Sequence, residues 1–201
     1  MKRVVLVAGA LAALAAAVLS ADDPAPAKLV VLEDILRSKN DNDPRLDRDF
    51  DDLSPETKRL FRRKYRDTAF ERRNERGTIV YLLGRNLRSR EDWEFLRGVA
   101  LEPPCLSLGD CSKKPSPGAD EEAAGDEVTL AYPSLVALRQ ACRAAAEARA
   151  VRSSALDVLA AARNSTTRVV ARAAASLVNE PFCRRPDRRG ARRSKRGKTP
   201  E

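Results

Sequence analysis

Four cysteines and a run of alternating aspartates are the residues of this chain whose type and spacing could do chemistry. Cys105 and Cys111 bracket the stretch CLSLGDC directly after Pro103-Pro104, and Cys142 and Cys183 stand alone further along. Thiols can grip a metal, run a redox exchange or close a disulfide. Zinc sites use C-x-x-C pairs or Cys with His, whereas five residues separate Cys105 from Cys111 and the chain contains no His. A thioredoxin-like pair also needs C-x-x-C. Covalent pairing is left, provided that the compartment oxidises thiols.

The N-terminus speaks to the compartment. Lys2-Arg3 precede an apolar run from Val4 to Leu19, and Ser20-Ala21-Asp22-Asp23-Pro24 follow it. A basic head, an apolar middle and small residues before a polar stretch form the pattern of a secretory signal peptide. Cleavage is expected after Ser20 or Ala21, with Ala27 as the less favoured site. The run is shorter than the roughly 20 residues of a spanning helix, and acids rather than bases follow it. An exported chain with an even number of cysteines pairs them, so Cys105 and Cys111 are expected to close a small loop, with Gly109 permitting the turn. Cys142 lies on an apolar helical face and Cys183 after the last helix. Either these two pair, or Cys142 is a small core residue and Cys183 is free.

The aspartates of Asp47-x-Asp49-x-Asp51 alternate as in a calcium loop, where a hard cation gathers several oxygens. Asp52 stands where that loop needs Gly and Lys58 where it needs Glu, and Arg45 and Arg48 sit among the acids. A solvated acidic linker is the better reading, and no metal is expected. Without His the commonest general base is missing, and no nucleophile elbow, phosphate loop or dinucleotide fingerprint occurs. The chain is therefore expected to be no enzyme and to need no cofactor.

Charge is unevenly spread along the 201 residues, whose net value is +9. Lys2 and Arg3 supply two of these charges, and residues 184–201 supply seven, so the remainder balances. The bases of that tail are Arg184, Arg185, Arg188, Arg189, Arg192, Arg193, Lys195, Arg196 and Lys198. With no aromatic residue, and with Pro and Gly breakers, the tail cannot offset its ordering entropy and is expected to be disordered. It is either an electrostatic tether to a polyanion or a solubilising appendage. A second basic stretch, Lys58 to Arg76, carries nine Lys or Arg against three acids, and offers Tyr65 and Phe70 for stacking. The preceding segment, Glu33 to Asp52, holds eight acids against four bases, so internal neutralisation by that neighbour is the favoured reading.

The elements that must position these groups are helical. Leu29 to Leu36 is a short apolar run, and Asn40 to Asp52 is irregular. Ser54-Pro55-Glu56 supplies an N-cap with Pro at the first position, and Thr68 to Glu71 has capping-box spacing for a further helix. Ile79, Val80, Leu83 and Leu87 recur at three and four, although Gly77 and Gly84 weaken that run. Ser89 to Asp92 offers another cap. Residues 102–131 are too long for an ordinary connection, and are expected to be an ordered clasp followed by a mobile acidic stretch. Helical pattern resumes from Leu135 to Leu177, with breaks near Ala150 and Asn164 that make antiparallel neighbours.

A local signature recurs in these helices at Arg76-Ile79-Leu83, Arg139-Cys142-Ala146, Arg152-Ala155-Leu159 and Arg168-Ala171-Ala175. The stretch VRSSALDVL, residues 151–159, resembles the second helix of a HEAT-like repeat, in which V-R-x-x-A-x-x-x-L is common. The resemblance runs over about half of the chain, mainly Ser134 to Asn179, and NERGTIVYLLGRNL with PPCLSL also resembles small exported bacterial proteins of uncharacterised function. It implies an α-solenoid that acts as a binding scaffold. The expected protein is all-α, with irregular HEAT-like helical hairpins and a long disulfide-closed loop insertion. It comprises a signal peptide at 1–21, an N-terminal segment at 22–53 and a helical repeat domain at 54–183, with the tail at 184–201. The expected role is an exported, non-catalytic binding or scaffold protein of the bacterial envelope, not integral to the membrane once cleaved. Its partner would be an unknown protein or an anionic envelope polymer, with nucleic acid less favoured. The alternative is an anchor that binds anionic polymers, lipid or nucleic acid through the tail.

Overall fold

A computed structural model describes residues 24–113, 123–180 and 183. The expected signal peptide, the acidic stretch 114–122 and the basic tail lie outside these residues. Among those described there are nine α-helices and no strand: α1 (Ala25–Ser38), α2 (Arg45–Arg48), α3 (Pro55–Asp67), α4 (Arg73–Gly84), α5 (Arg90–Ala100), α6 (Ala123–Leu130), α7 (Tyr132–Glu147), α8 (Arg152–Ala162) and α9 (Arg168–Asn179). A single 3-10 turn, Arg149–Val151, makes the break expected near Ala150. No helix among the described residues is long and apolar enough to cross a membrane.

The caps explain most boundaries. Ser54 Oγ accepts from the Thr57 N–H at 3.1 Å, and Pro55 opens α3. Ser89 and Asp92 form a reciprocal capping box on α5. The expectation of a helix start at Thr68 is corrected. The Thr68 hydroxyl and N–H both turn back to the Lys64 carbonyl, so Thr68 closes α3, and Glu71 accepts from the Cys111 N–H instead of capping. The next helix begins at Arg73 with no side-chain cap. The interruption 102–131 is also shorter than expected, since its last residues form α6, which packs on α7. Cleavage after Ala27 would remove the fully buried Ala25 and with it the first turn of α1.

The core is built around α7. Twelve of its residues are buried, from Pro133 to Ala146, because α4, α5, α8 and α9 all pack on it. Its many alanines follow from this enclosure: a helix surrounded on most sides needs small side chains to let its neighbours approach. At the other end of the same core, Leu32, Ile35 and Leu36 of α1 meet Phe50, Leu53, Phe61 and Tyr65. Edge-to-face ring contacts, Phe50 with Phe61 at 5.7 Å and Tyr65 with Phe95 at 5.2 Å, set α3 against its neighbours.

Gly77 and Gly84, which weaken the helical pattern in sequence, are the reason α4 reaches α7. They stand two turns apart, on the face of α4 toward α7. A Cβ on Gly84 would overlap the Gln140 side chain, lying 2.6 Å from its Cβ, and one on Gly77 would overlap the Tyr132 ring. The Arg143 guanidinium, also on α7, donates to the Gly84 carbonyl at 3.0 Å and closes the end of α4. Gly84→Ala is expected to destabilise the fold. Overpacking costs about 1–3 kcal/mol, which exceeds the gain of up to about 1 kcal/mol in helix propensity. Gly77→Ala is expected to cost less, because the Tyr132 ring is 36% exposed and can swing outward. Urea denaturation of the two variants measures the difference, and equal midpoints would contradict this account of the seam.

Candidate functional site

Two depressions sharing Asp41 and Thr78 run along the outer face of α4. The larger, of about 460 Å³, lies between the 41–47 segment, α4 and α7; Asp41, Asp47, Tyr81, Tyr132, Val136 and Arg139 are among its lining residues. The smaller, of about 330 Å³, continues beside Leu36, Glu71 and Glu75. Their sizes suit a ligand or a peptide segment rather than a single ion.

Two of the three carboxylates of the larger depression, Asp43 and Asp47, are held by guanidinium groups. Asp43 is gripped at both oxygens by Arg45, with Nη2 at 2.7 Å and Nε at 3.0 Å. That hydrogen bond, with the one from the Arg45 N–H, holds the carboxyl below the usual range. Asp47 accepts from Arg85 at 2.7 Å and from the Tyr81 hydroxyl at 3.3 Å. Arg85 also reaches Asp51 and the Leu46 carbonyl, tying the 46–51 segment to the end of α4. Asp49 pairs with Arg48. The three alternating aspartates are thus taken up by two arginines, Asp47 and Asp51 by Arg85 and Asp49 by Arg48. Asp41 is exposed and makes no ion pair among the described residues.

Six of the nine bases of the stretch 58–76 are paired within the molecule, chiefly with partners other than the preceding acidic segment. Only Glu33 of that segment reaches it, through Lys64 at 2.5 Å. The segment's other acids, Asp41 apart, pair with Arg37, Arg45, Arg48, Arg85 and Arg88. Lys58 and Arg62 instead turn to α5. Lys58 Nζ, 6% exposed, donates to Asp92 Oδ2 at 2.8 Å and to the Asn86 carbonyl, while Arg62 takes Asp92 Oδ1. Burial opposes ionisation of Asp92. The bonds from Lys58 and from the N–H groups of Arg88 and Ser89 outweigh it and hold its carboxyl below the usual range. Asn86 completes the cluster: its Oδ1 accepts from the Leu53 N–H, and its Nδ2 donates to the Phe50 and Leu82 carbonyls.

Tyr65 and Phe70, proposed from sequence as stacking surfaces, stack on a residue of the protein itself. The Arg76 guanidinium lies 3.9 Å from the Tyr65 ring centroid and 4.3 Å from that of Phe70. It donates to the Tyr65 and Thr68 carbonyls and to Glu102. The Tyr65 hydroxyl shares Glu102 at 2.7 Å, and burial, reinforced by the Glu102 charge, pushes the phenol far above its ordinary range. Arg76 heads the first of the four sequence signatures, yet the equivalent arginines do other work. Arg152 donates to the Ala145 carbonyl, and Arg139 lines the open depression.

Cys105 and Cys111 are bonded to each other, and Cys142 and Cys183 form a second bridge; no described cysteine is free. The small clasp is docked as well as closed. Arg73 donates to the Leu108 carbonyl at 2.9 Å, Cys105 N–H reaches the Leu130 carbonyl, and Leu106 and Leu108 face solvent. The second bridge pins the chain after α9 to α7. The nine bases from Arg184 to Lys198 lie outside the described residues. Sequence reasoning passed over Asn86, the Lys58–Asp92 pair and the glycine seam, because each acquires its role from residues 28 to 59 positions away. No protein-family model matches the chain, and no curated protein or solved structure does so.

Proposed function

We propose that the protein is an exported, non-catalytic binding module of HEAT-like construction, which receives its partner in the depression between the 41–47 segment, α4 and α7. The observation that carries this reading is the stacking of hairpins. The first helices α4 and α7 pack together, as do the second helices α5 and α8, and α5 also packs on α7. Successive repeats of an α-solenoid pack first helix on first and second on second, and the groove opens on the outer face of the first pair. The two disulfides support a site of action outside the reducing cytoplasm.

The chemistry of the groove suits holding better than reacting. A general acid or base works with a pKa near the ambient pH, whereas Arg45 keeps Asp43 firmly ionised. Tyr65, whose phenol is pushed up by burial, and Asp92, whose carboxyl is held down by its donors against burial, are engaged in internal networks away from the groove. Tyr81 and Tyr132 offer rigid amphipathic contact surface, of the kind enriched at recognition sites.

A peptide library panned against the mature protein and against Thr78→Trp tests the reading. Thr78 lines both depressions, so an indole there fills the groove while α4 is left intact. Ligands that bind the parent and lose at least about tenfold in affinity for the filled variant, a loss of about 1.4 kcal/mol, are the expected result. Ligands that bind both proteins equally would place recognition elsewhere.

A further inference from the structure

We propose that the cleft between α5 and α8 is a second binding site, which takes a short apolar ligand carrying both a free ammonium and a free carboxylate. It is separate from the groove beside α4, and stands whether or not that groove is a recognition surface. The cleft holds about 420 Å³, within the range of cavities that take small ligands. One wall carries Trp93, the single tryptophan of the chain, which packs partly on the core. Val151, just before α8, and Val158 within it add apolar surface to the other wall. Arg90 and Arg97 stand one turn before and one turn after the indole on α5, spacings at which side chains on a helix meet. Even so, among the described residues no guanidinium lies over the Trp93 ring, although Tyr65, Phe70 and Tyr81 are each covered in that way. The indole face is left open for the apolar part of a ligand.

The charges of the lining are of two kinds. Arg88 pairs with Asp52 and Arg90 with Glu94, so these are already matched. Arg97 on α5 and Asp157 on α8 line the same cleft, but neither side chain makes a hydrogen bond or an ion pair among the described residues. They are opposite in sign, belong to opposite walls and do not reach each other. The Ser154 hydroxyl, also in the lining, has no partner among the described residues either. A ligand with a single charge satisfies only one wall. One with both charges satisfies Arg97 through its carboxylate, which the planar guanidinium matches with two parallel bonds, and Asp157 through its ammonium, a compact donor. Length sets the size. Seven positions separate Arg90 from Arg97, and Val151 from Val158, so each wall runs for about 10 Å. An extended peptide covers that distance in about three residues. A peptide of this length with open termini supplies both charges and an apolar body.

The test titrates the full mature chain with the tripeptide Leu-Ala-Leu. Tryptophan fluorescence, which in this chain reports from the cleft alone, is the first readout, and isothermal calorimetry is the second. Saturable binding to the parent is expected. N-acetylation of the tripeptide removes its ammonium and C-amidation its carboxylate, and each should weaken binding at least about tenfold. Two variants assign the contacts. In Asp157→Asn, acetylation should cost less than about threefold while amidation keeps its full effect; in Arg97→Gln the reverse should hold, since a cycle of this kind isolates each pair. Both positions are exposed and unpaired, so neither change should move the midpoint of thermal unfolding. Free leucine is the other arm. Whichever of leucine and the tripeptide binds more tightly identifies an amino acid or a peptide as the source of the paired charges. No saturation of either probe below about 10 mM by both readouts, or capping losses that are the same in the parent and in both variants, would overturn the proposal.

Discussion

Replacing Asp92 by alanine is expected to lower the unfolding free energy by about 3–5 kcal/mol, the cost of leaving a buried ionic partner without its counter-charge. Lys58 Nζ would keep only the Asn86 carbonyl, Arg62 would keep the exposed Glu91 at 3.2 Å, and α5 would lose its capping box. Lys58→Met is expected to cost less, because Arg62 and the N–H groups of Arg88 and Ser89 still satisfy Asp92. Urea denaturation reads both effects as a shift of midpoint at unchanged slope. A pH series supplies an independent check. The folded-state carboxyl of Asp92 lies below its ordinary value of 3.8. The stability it contributes is therefore fully present above about pH 5 and is lost as pH falls through and below 4. In Asp92→Ala that part of the acid sensitivity should be missing. An Asp92→Ala protein with the parent's midpoint would show that the cluster contributes nothing to stability.

Removing the second disulfide, with Cys142→Ser and Cys183→Ser together, is expected to cost about 4 kcal/mol on the chain-entropy account. Its half-cystines stand 41 residues apart, so the open unfolded chain gains far more freedom than it would from the clasp, where the separation is 6. Cys105→Ser with Cys111→Ser should cost about 2 kcal/mol, and Arg73 and Glu71 would still dock the loop. In thermal scans the larger loss corresponds to a fall of roughly 8–16 °C for a protein of this size. The ordering of the two double variants is the decisive outcome. If opening the clasp costs as much as opening the Cys142–Cys183 bridge, loop length does not govern their contributions. Both cysteines of the larger bridge are buried, and its loss would also free the chain after α9 from α7.

The all-α class, the start of α3 at Ser54-Pro55, the cap at Ser89 and the clasp were legible because each depends on residues near one another in sequence. Capping is a bond across three residues, an amphipathic face recurs every three or four, and a ring of seven closes with little entropic cost. Where the readings went astray, a distant partner had taken over a local signal. Thr68 and Glu71 have the spacing of a capping box, but the Cys111 N–H, forty residues on, claims the Glu71 carboxylate. The acids of residues 33–52 and the bases of 58–76 are adjacent in sequence and opposite in sign. Even so, the arginines after α4 and the carboxylates of α5 take most of the pairings.

The amino-acid sequence by itself determined the helical class, the uneven charge, the pairing of Cys105 with Cys111 and the absence of histidine chemistry, since composition and local spacing suffice for these. It left the partner of Cys142 open. Only the tertiary structure decided that Cys142 and Cys183 meet, that Gly77 and Gly84 form a seam rather than a break, and that Lys58, Arg62, Asn86 and Asp92 share one buried cluster. The physical reason is common to all three. Each rests on the packing of α4, α5 or the chain after α9 against helices remote in sequence, and close approach between remote segments is set by the summed fit of the core, which no local pattern records.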